Sequence, residues 1–306
     1  MVATLAADAL GAPLETVRVE MGDTDRSPYG LGGWGSRSTV IGGGAILAAA
    51  TPVREKILRI AGHLLEVDPA DLMIEGGLVR VRGSDHLRIA LADVATTATI
   101  RILDLPQGEE PGLEASAVYE PPTLQHVPDE KGRMNGSSTY VNAAHGAVVS
   151  VDVESGRVEV LDYVVVHDCG RVINPVIVEG QIHGGVAQGV GGALLEEMVY
   201  DDQGQLLTGT LMDYLVPTAM EVPPIETAHL EYPSPRNPLG IKGVGEGGAI
   251  SPPAAIANAV EDALAPFAVS VTRTPLGPAT VEALLRAAGR PVAGAAAPGE
   301  PSEPRP

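Results

Sequence analysis

"AHGAVVSVDVESGRVEVLDYVVVHDCG" (144–170) runs without a break into "RVINPVIVEGQIHGGVAQGVGGALLEE" (171–197). The first segment places two β-rich runs on either side of an ESG turn, where Ser155 and Gly156 supply the turn chemistry, and reads as a β-hairpin. The second reads as a helix unusually loaded with glycine. Working upstream, "VATLAADALG" predicts a helix stopped by Gly11, and "ETVRVEMGD" a strand. From Ser38 to about Leu65 the pattern turns helical, as one long helix or two. Short strands are expected around 73–82, a small helix at "IALADVA" and a strand at "LEASAVYE". Downstream, strands are expected at "EMVYDDQGQ" and near "ETAHLEY". "SPPAAIANAVEDAL" predicts a helix with Ser251 as its cap and prolines in its first turn, and "LGPATVEALLRAAG" a last helix stopped by Gly289. This mixture of hairpins and helices gives an α+β expectation.

The chain has 306 residues, room for two domains. Hydrophobic residues make up 44% but aromatics only 3%, so the core must rest on Val, Leu, Ile and Ala. The formal charge of −19, from 39 acidic and 20 basic residues, argues against a nucleic-acid backbone as partner. Cys169 is the only cysteine. An internal disulfide and a cysteine-built metal site are thereby excluded, and a reducing cytoplasm is the default location. The seven histidines are too dispersed to suggest zinc. "VIGGGAILAAA" (40–50) is too short to cross a membrane and "MVATLAADAL" lacks the features of a signal peptide, so no membrane partner is expected.

Four segments share one character: "GGWGSRST" (32–39), "DCGRVINP" (168–175), "GQIHGGVAQGVG" (180–191) and "GIKGVGEGG" (240–248). Glycines with interspersed Ser, Arg, Asn, Gln and Lys offer backbone N–H groups and short donors to something large and rich in oxygen, such as a phosphate or a polar heterocycle. "GVGEGG" is not a P-loop. A dinucleotide fingerprint can be laid on Gly243, Gly245 and Gly248, but spacing alone is weak without the flanking strand, helix and acid. Glu246 among five glycines calls for a tight turn, a close approach of backbone, or disorder.

"DCGRVINPVIVEGQIHGGVAQGVGGALLEE", "YGLGGWGSRSTVIGGGAI" and "NPLGIKGVGEGG" together resemble the molybdenum-binding large subunit of the xanthine dehydrogenase and aldehyde oxidase family. The bacterial carbon-monoxide-dehydrogenase-like branch is nearest in character, and the resemblance runs over residues 1–289. It implies the two-part α+β molybdopterin-binding region of a molybdenum hydroxylase. It also implies that Glu246 sits beside the molybdenum as general base in the oxidation of an aldehyde, N-heterocycle or related small molecule, with oxygen derived from water. Ser36, Arg37, Ser38 and Thr39 would contact the pterin and its phosphate at a helix start, with Ser38 and Thr39 as caps. Gln181, Gln188, Gly243 and Gly245 would approach the cofactor. The metal would be held by pterin dithiolene sulfurs, not by protein ligands, with the cofactor in its cytosine dinucleotide form. Asp168, Arg171 and Asn174 lie in a matched turn read as architectural, and His183 and Cys169 as packing residues.

By this reading residues 1–125 form a first subdomain carrying the GSRST loop, 126–289 a second carrying the DCGRVINP, glycine-helix and GVGE segments, and 290–306 a disordered tail. Large subunits of the family are much longer, and the upstream half of the molybdenum region is not matched. The resemblance therefore implies partners: a polypeptide supplying that upstream half, an iron–sulfur subunit with 2Fe–2S clusters and a flavin subunit with FAD. The alternative is a noncatalytic assembly fragment of a truncated large subunit.

Overall fold

The computed structural model describes residues 1–84 and 86–289; the expectation for the 290–306 tail lies outside the described residues. The chain divides into two compact units, neither of them continuous in sequence. The sequence division fell between 125 and 126. The first unit instead runs to Tyr140, and it takes back Cys169–Ile177 and Glu231–Gly243 from the region assigned to the second.

In the first unit, helix α1 (Val2–Leu10) stops at Gly11, which adopts φ +66°. Helix α2 (Ser38–Leu65) is one continuous element of 28 residues. Its C-terminal half and α3 (Leu91–Thr99) pack with an antiparallel sheet of order β1-β2-β3, formed by Leu72–Glu75, Leu78–Val81 and Arg88–Ala90. β1 and β2 are joined through Gly76 and Gly77, both at positive φ as a two-residue hairpin turn requires. The core here is aliphatic throughout: Ile57, Ile60, Leu72, Val79 and Val94 are all buried, each such side chain stabilising by about 1.5–3 kcal/mol. A second cluster of Leu5, Val40, Leu239 and Ile241, with Ile173 against it, ties α1 and the first turns of α2 to the two returning segments.

In the second unit, β4 (Asn142–Val151) and β5 (Val158–Asp168) form the expected hairpin. Ser155 donates its hydroxyl proton to the Asp152 carboxylate, and Gly156 takes φ +71°. β6 (Ile225–His229) joins β5 in parallel, giving the order β4-β5-β6. Helix α4 (Pro175–Leu194) enters this unit at Val178. α5 (Pro252–Ala263) packs on β4, and α6 (Pro278–Ala287) follows. Among the described residues no helix is long and apolar enough to cross a membrane.

Three expected strands do not form. After a short 3-10 turn at Leu14–Thr16, "ETVRVEMGD" runs on without a ladder, leaving Val19 and Met21 exposed. "LEASAVYE" is likewise unpaired, and "EMVYDDQGQ" keeps only an isolated bridge between Tyr200 and Leu206. Alternation fits a residue for a pleated surface, but only a neighbouring strand makes a sheet. Ser251 stands at the α5 cap position, yet its backbone is already helical and its hydroxyl caps nothing.

Candidate cofactor and active site

Gly35 and Ser36 adopt successive left-handed conformations, φ +60° and +56°, and swing the chain into α2. A serine held there costs about 1–2 kcal/mol and persists only where its surroundings fix it. Those surroundings include the GIKG segment of the same unit, since a Cβ placed on Gly243 would lie 2.8 Å from the Ser36 Cβ. Arg37 rather than Ser38 occupies the α2 cap position, and no side chain caps the helix. Ser38 and Thr39 therefore correct to first-turn residues. The Arg37 side chain is buried at 3% exposure, with its guanidinium 3.7 Å over the Trp34 ring. Its Nη1 donates to the Gly136 carbonyl at 3.0 Å and meets a His126 ring nitrogen at 3.3 Å. Its Nε has no partner among the described residues, and burial draws the guanidinium pKa down.

The GIKG segment is zipped to the DCGR segment. Lys242 N–H donates to the Cys169 carbonyl at 2.7 Å and Arg171 N–H to the Gly240 carbonyl at 3.1 Å, while Cys169 itself is buried. Asn237, buried, clasps Ile241 at both ends: its Nδ2 donates to the Ile241 carbonyl at 2.8 Å and its Oδ1 accepts from the Ile241 N–H at 3.2 Å. Sequence reasoning quoted Asn237 within its motif and gave it no role; an asparagine four residues ahead of the Ile that follows Gly240 was the available signal. Asn174 proves architectural, its Oδ1 accepting from Ile177 N–H at the start of α4.

In the second unit Glu246 sits in a turn closed by Gly247 N–H to the Val244 carbonyl at 3.1 Å. The Glu246 carbonyl accepts from Ala249 and Ile250 at 3.0 and 3.2 Å. Its side chain is exposed, whereas Gly247 and Gly248 are buried. A Cβ on Gly247 would meet His167 Nε2 at 2.6 Å, and one on Gly248 would meet the Ile182 carbonyl oxygen at 2.6 Å and that of Gln181 at 3.0 Å. Glycine follows the glutamate because the turn is laid directly on α4 and on the end of β5. Gln181 and Gln188 are both exposed on α4, seven residues apart and so on one face.

Behind the turn lies a polar cluster that sequence reasoning missed. His167 is fully buried with neither ring nitrogen bonded among the described residues, and its pKa is lowered to about 4 by desolvation first, then by His229 and His145. His145 Nδ1 lies 3.0 Å from the Tyr163 hydroxyl. His229 Nε2 lies 2.7 Å from Glu179 Oε1, and Thr227 donates its hydroxyl proton to the same carboxylate. These bonds hold Glu179 below the usual carboxylate range. His183 is exposed, 3.5 Å from Glu179. Nothing local in the sequence marked this cluster, since its members lie on β4, β5, α4 and β6.

The molybdopterin cofactor-binding domain family matches residues 1–223. The chain belongs to this family. It is 40% identical over 285 residues to the nicotine 6-hydroxylase large subunit of Paenarthrobacter nicotinovorans, covering 93% of this chain and 33% of that one. It is 41% identical over 268 residues to the carbon monoxide dehydrogenase large chain of Hydrogenophaga pseudoflava, covering 88% and 31%. The fold superposes on quinoline 2-oxidoreductase from Pseudomonas putida 86 with a TM-score of 0.82 at 44% identity, over 93% of this chain and 34% of that one. The α+β molybdopterin-binding region is thus homologous to part of the large subunits of the xanthine dehydrogenase and carbon-monoxide-dehydrogenase type. It spans about a third of the length of these relatives.

Family membership implies a molybdenum–molybdopterin cofactor, and the first unit offers a donor set suited to its anionic part. The first N–H groups of α2 have no intrahelical acceptor, no side chain caps them, and the buried Arg37 Nε–H beside them has no partner among the described residues. Among the described residues no group of three His, Cys, Asp or Glu is placed to hold a metal ion. Ser36, Arg37, Ser38, Thr39 and Gly243 come together in the first unit; Gln181, Gln188, Gly245 and Glu246 belong to the second.

Proposed function

We propose that this chain is the molybdopterin-binding part of a molybdenum hydroxylase, with Glu246 as the base. One observation carries the reading: an exposed carboxylate stands on a turn whose following backbone is locked against α4 and His167. A base needs a fixed position before it needs a tuned pKa. When bound, the cofactor, in its cytosine dinucleotide form, supplies the two-electron redox chemistry of substrate hydroxylation. The residues of this chain do the rest. Ser36, Ser38 and Thr39 at the α2 N-terminus hold the phosphate, Arg37 adds a fixed positive charge, and Gly243 and Gly245 let backbone approach the pterin. Gln181 and Gln188 offer amide donors, and Glu246 accepts a proton from water-derived oxygen. Because Glu246 is exposed in this chain, its desolvation falls to the polypeptide that completes the large subunit. An iron–sulfur subunit and a flavin subunit then carry electrons away, in the cytoplasm.

For substrate, the reading favours a small N-heterocycle, with aldehydes next, since two of the similar proteins are named for nicotine and quinoline. The test is Glu246→Gln in the complex assembled with its partner subunits. Molybdenum content by elemental analysis should stay at the wild-type level while turnover of pyridine and quinoline substrates falls about 100-fold or more. Unchanged turnover removes Glu246 from the mechanism. A folded wild-type complex without molybdenum favours the noncatalytic assembly role instead.

A further inference from the structure

Between α4 and β6, residues 195–224 form neither helix nor strand. The stretch is nevertheless built. Leu207 N–H donates to the Val199 carbonyl at 2.8 Å, Val199 N–H to the Thr208 hydroxyl at 3.0 Å, and Asp201 accepts from the N–H groups of Gln203 and Gln205 at 2.9 Å. The Tyr214 hydroxyl donates to Glu196, and Glu221 accepts from both the N–H and the hydroxyl of Thr218. Several polar groups are thus bonded within the stretch, and large apolar side chains face solvent beside the exposed Asp202, Gln203 and Asp213. Leu211, Met212 and Met220 are 81%, 88% and 89% exposed, and Met198, Tyr200 and Leu207 are all more than half exposed. Exposed apolar area on the order of several hundred Å² marks a surface that something covers.

The stretch itself is acidic, with Arg157, against Met220 and Glu221, as a cation beside it. From Val172 through Pro235 the chain has nine aspartates and glutamates and no lysine or arginine. A second copy, itself at −19, would set acidic rim against acidic rim, and an anionic lipid surface is disfavoured for the same reason. What remains is a partner whose apolar face carries lysine and arginine at its edge. The relatives supply its identity, since this chain matches about a third of each. The flexible Leu and Met content is that of a permanent interface, which resembles a core cut in two.

We propose that residues 198–220 are the docking surface for the complementary part of the large subunit, an apolar face rimmed by basic residues. This rests on the proposed function only in taking the chain as part of a larger large subunit.

The probe is the portion of the nicotine 6-hydroxylase large subunit that this chain does not match, coexpressed with tagged full chain. It should copurify, and hydrogen exchange across 198–220 should slow on binding. The variant carrying Leu211→Glu, Met212→Glu and Met220→Glu should keep its circular dichroism and melting temperature, because these side chains contact solvent, yet bind at least about 100-fold more weakly. Loss of folding in that variant is met by Leu211→Ser with Met212→Ser, which should also weaken binding. Binding with 198–220 unprotected and the variants unaffected overturns the docking surface and leaves the functional reading intact. Failure of the probe to bind overturns it too, as does a homodimer that the glutamate variant dissolves. A bound complex that never acquires molybdenum sinks the functional reading and leaves the surface standing.

Discussion

Gly247 shows how much one missing carbon decides. Its backbone lies so close to the His167 ring that a methyl group would sit 2.6 Å from Nε2, and that ring is fully buried. Gly247→Ala should therefore destabilise the fold by about 1–3 kcal/mol, the usual cost of overpacking, and displace the Glu246 turn. A Gly184→Ala control sits on the same helix face as the glutamines, with open space around it; it should stabilise α4 by up to about 1 kcal/mol. Urea midpoints of the two variants should move in opposite directions. A neutral Gly247→Ala would mean that the turn is not held by His167. The run of glycines was visible in the sequence and left a tight turn, a close approach or disorder open; at Gly247 and Gly248 the structure has backbone packed against its own chain. Which atom is approached was not, because His167 lies eighty residues away.

At the scale of the element, hairpin β4–β5 and helices α1, α2, α4, α5 and α6 were legible because each carries its own periodicity, turn and stop residues. The three unpaired segments were misread because a strand is defined by a neighbour that local pattern cannot name. The return of two short segments to the first unit was hidden for a related reason: it depends on the DCGR–GIKG zipper, which joins residues far apart in sequence. Asn237 fastens that zipper. Asn237→Ala would leave the N–H and carbonyl of Ile241, itself 2% exposed, without their clasp, at about 1–3 kcal/mol for buried unsatisfied groups. The loosened segment carries Gly243 past Ser36, so cofactor retention should fall as well as stability. Asn237→Asp keeps the acceptor to the N–H and loses the donor to the carbonyl, and should fall between wild type and alanine in melting temperature. Equal melting temperatures for all three would show that the zipper holds without Asn237.

Over the whole molecule, acid loosens the fold through its buried histidines first. His167 is kept neutral down to about pH 4, against an ordinary value of 6.5, with Asp168 alone pulling the other way. In the unfolded chain the same ring takes up its proton near 6.5, so its contribution is fully present above that pH. It is lost as pH falls through the window to about 4, by about 3 kcal/mol in all. His145, also lowered by burial, adds in the same direction. The carboxylates follow at lower pH: Glu109, bonded to Arg59 at 2.8 Å, is held below the usual range, and its stabilisation disappears only as pH falls through that lowered value. Urea unfolding at low protein concentration, needed because the net charge vanishes near pH 4.6, should show a midpoint that declines steadily from pH 6.5 downward. Trp34, the only tryptophan, reports the first unit, whereas the histidine cluster belongs to the second. The decline should therefore appear in far-ultraviolet ellipticity at least as early as in tryptophan emission. His167→Gln keeps a polar ring-sized group without the proton, and should flatten the limb between 6.5 and 4 while leaving the carboxylate limb in place. A wild-type midpoint that is level across that window, or an unchanged slope in the variant, would place the acid sensitivity elsewhere than in the buried ring beneath Glu246.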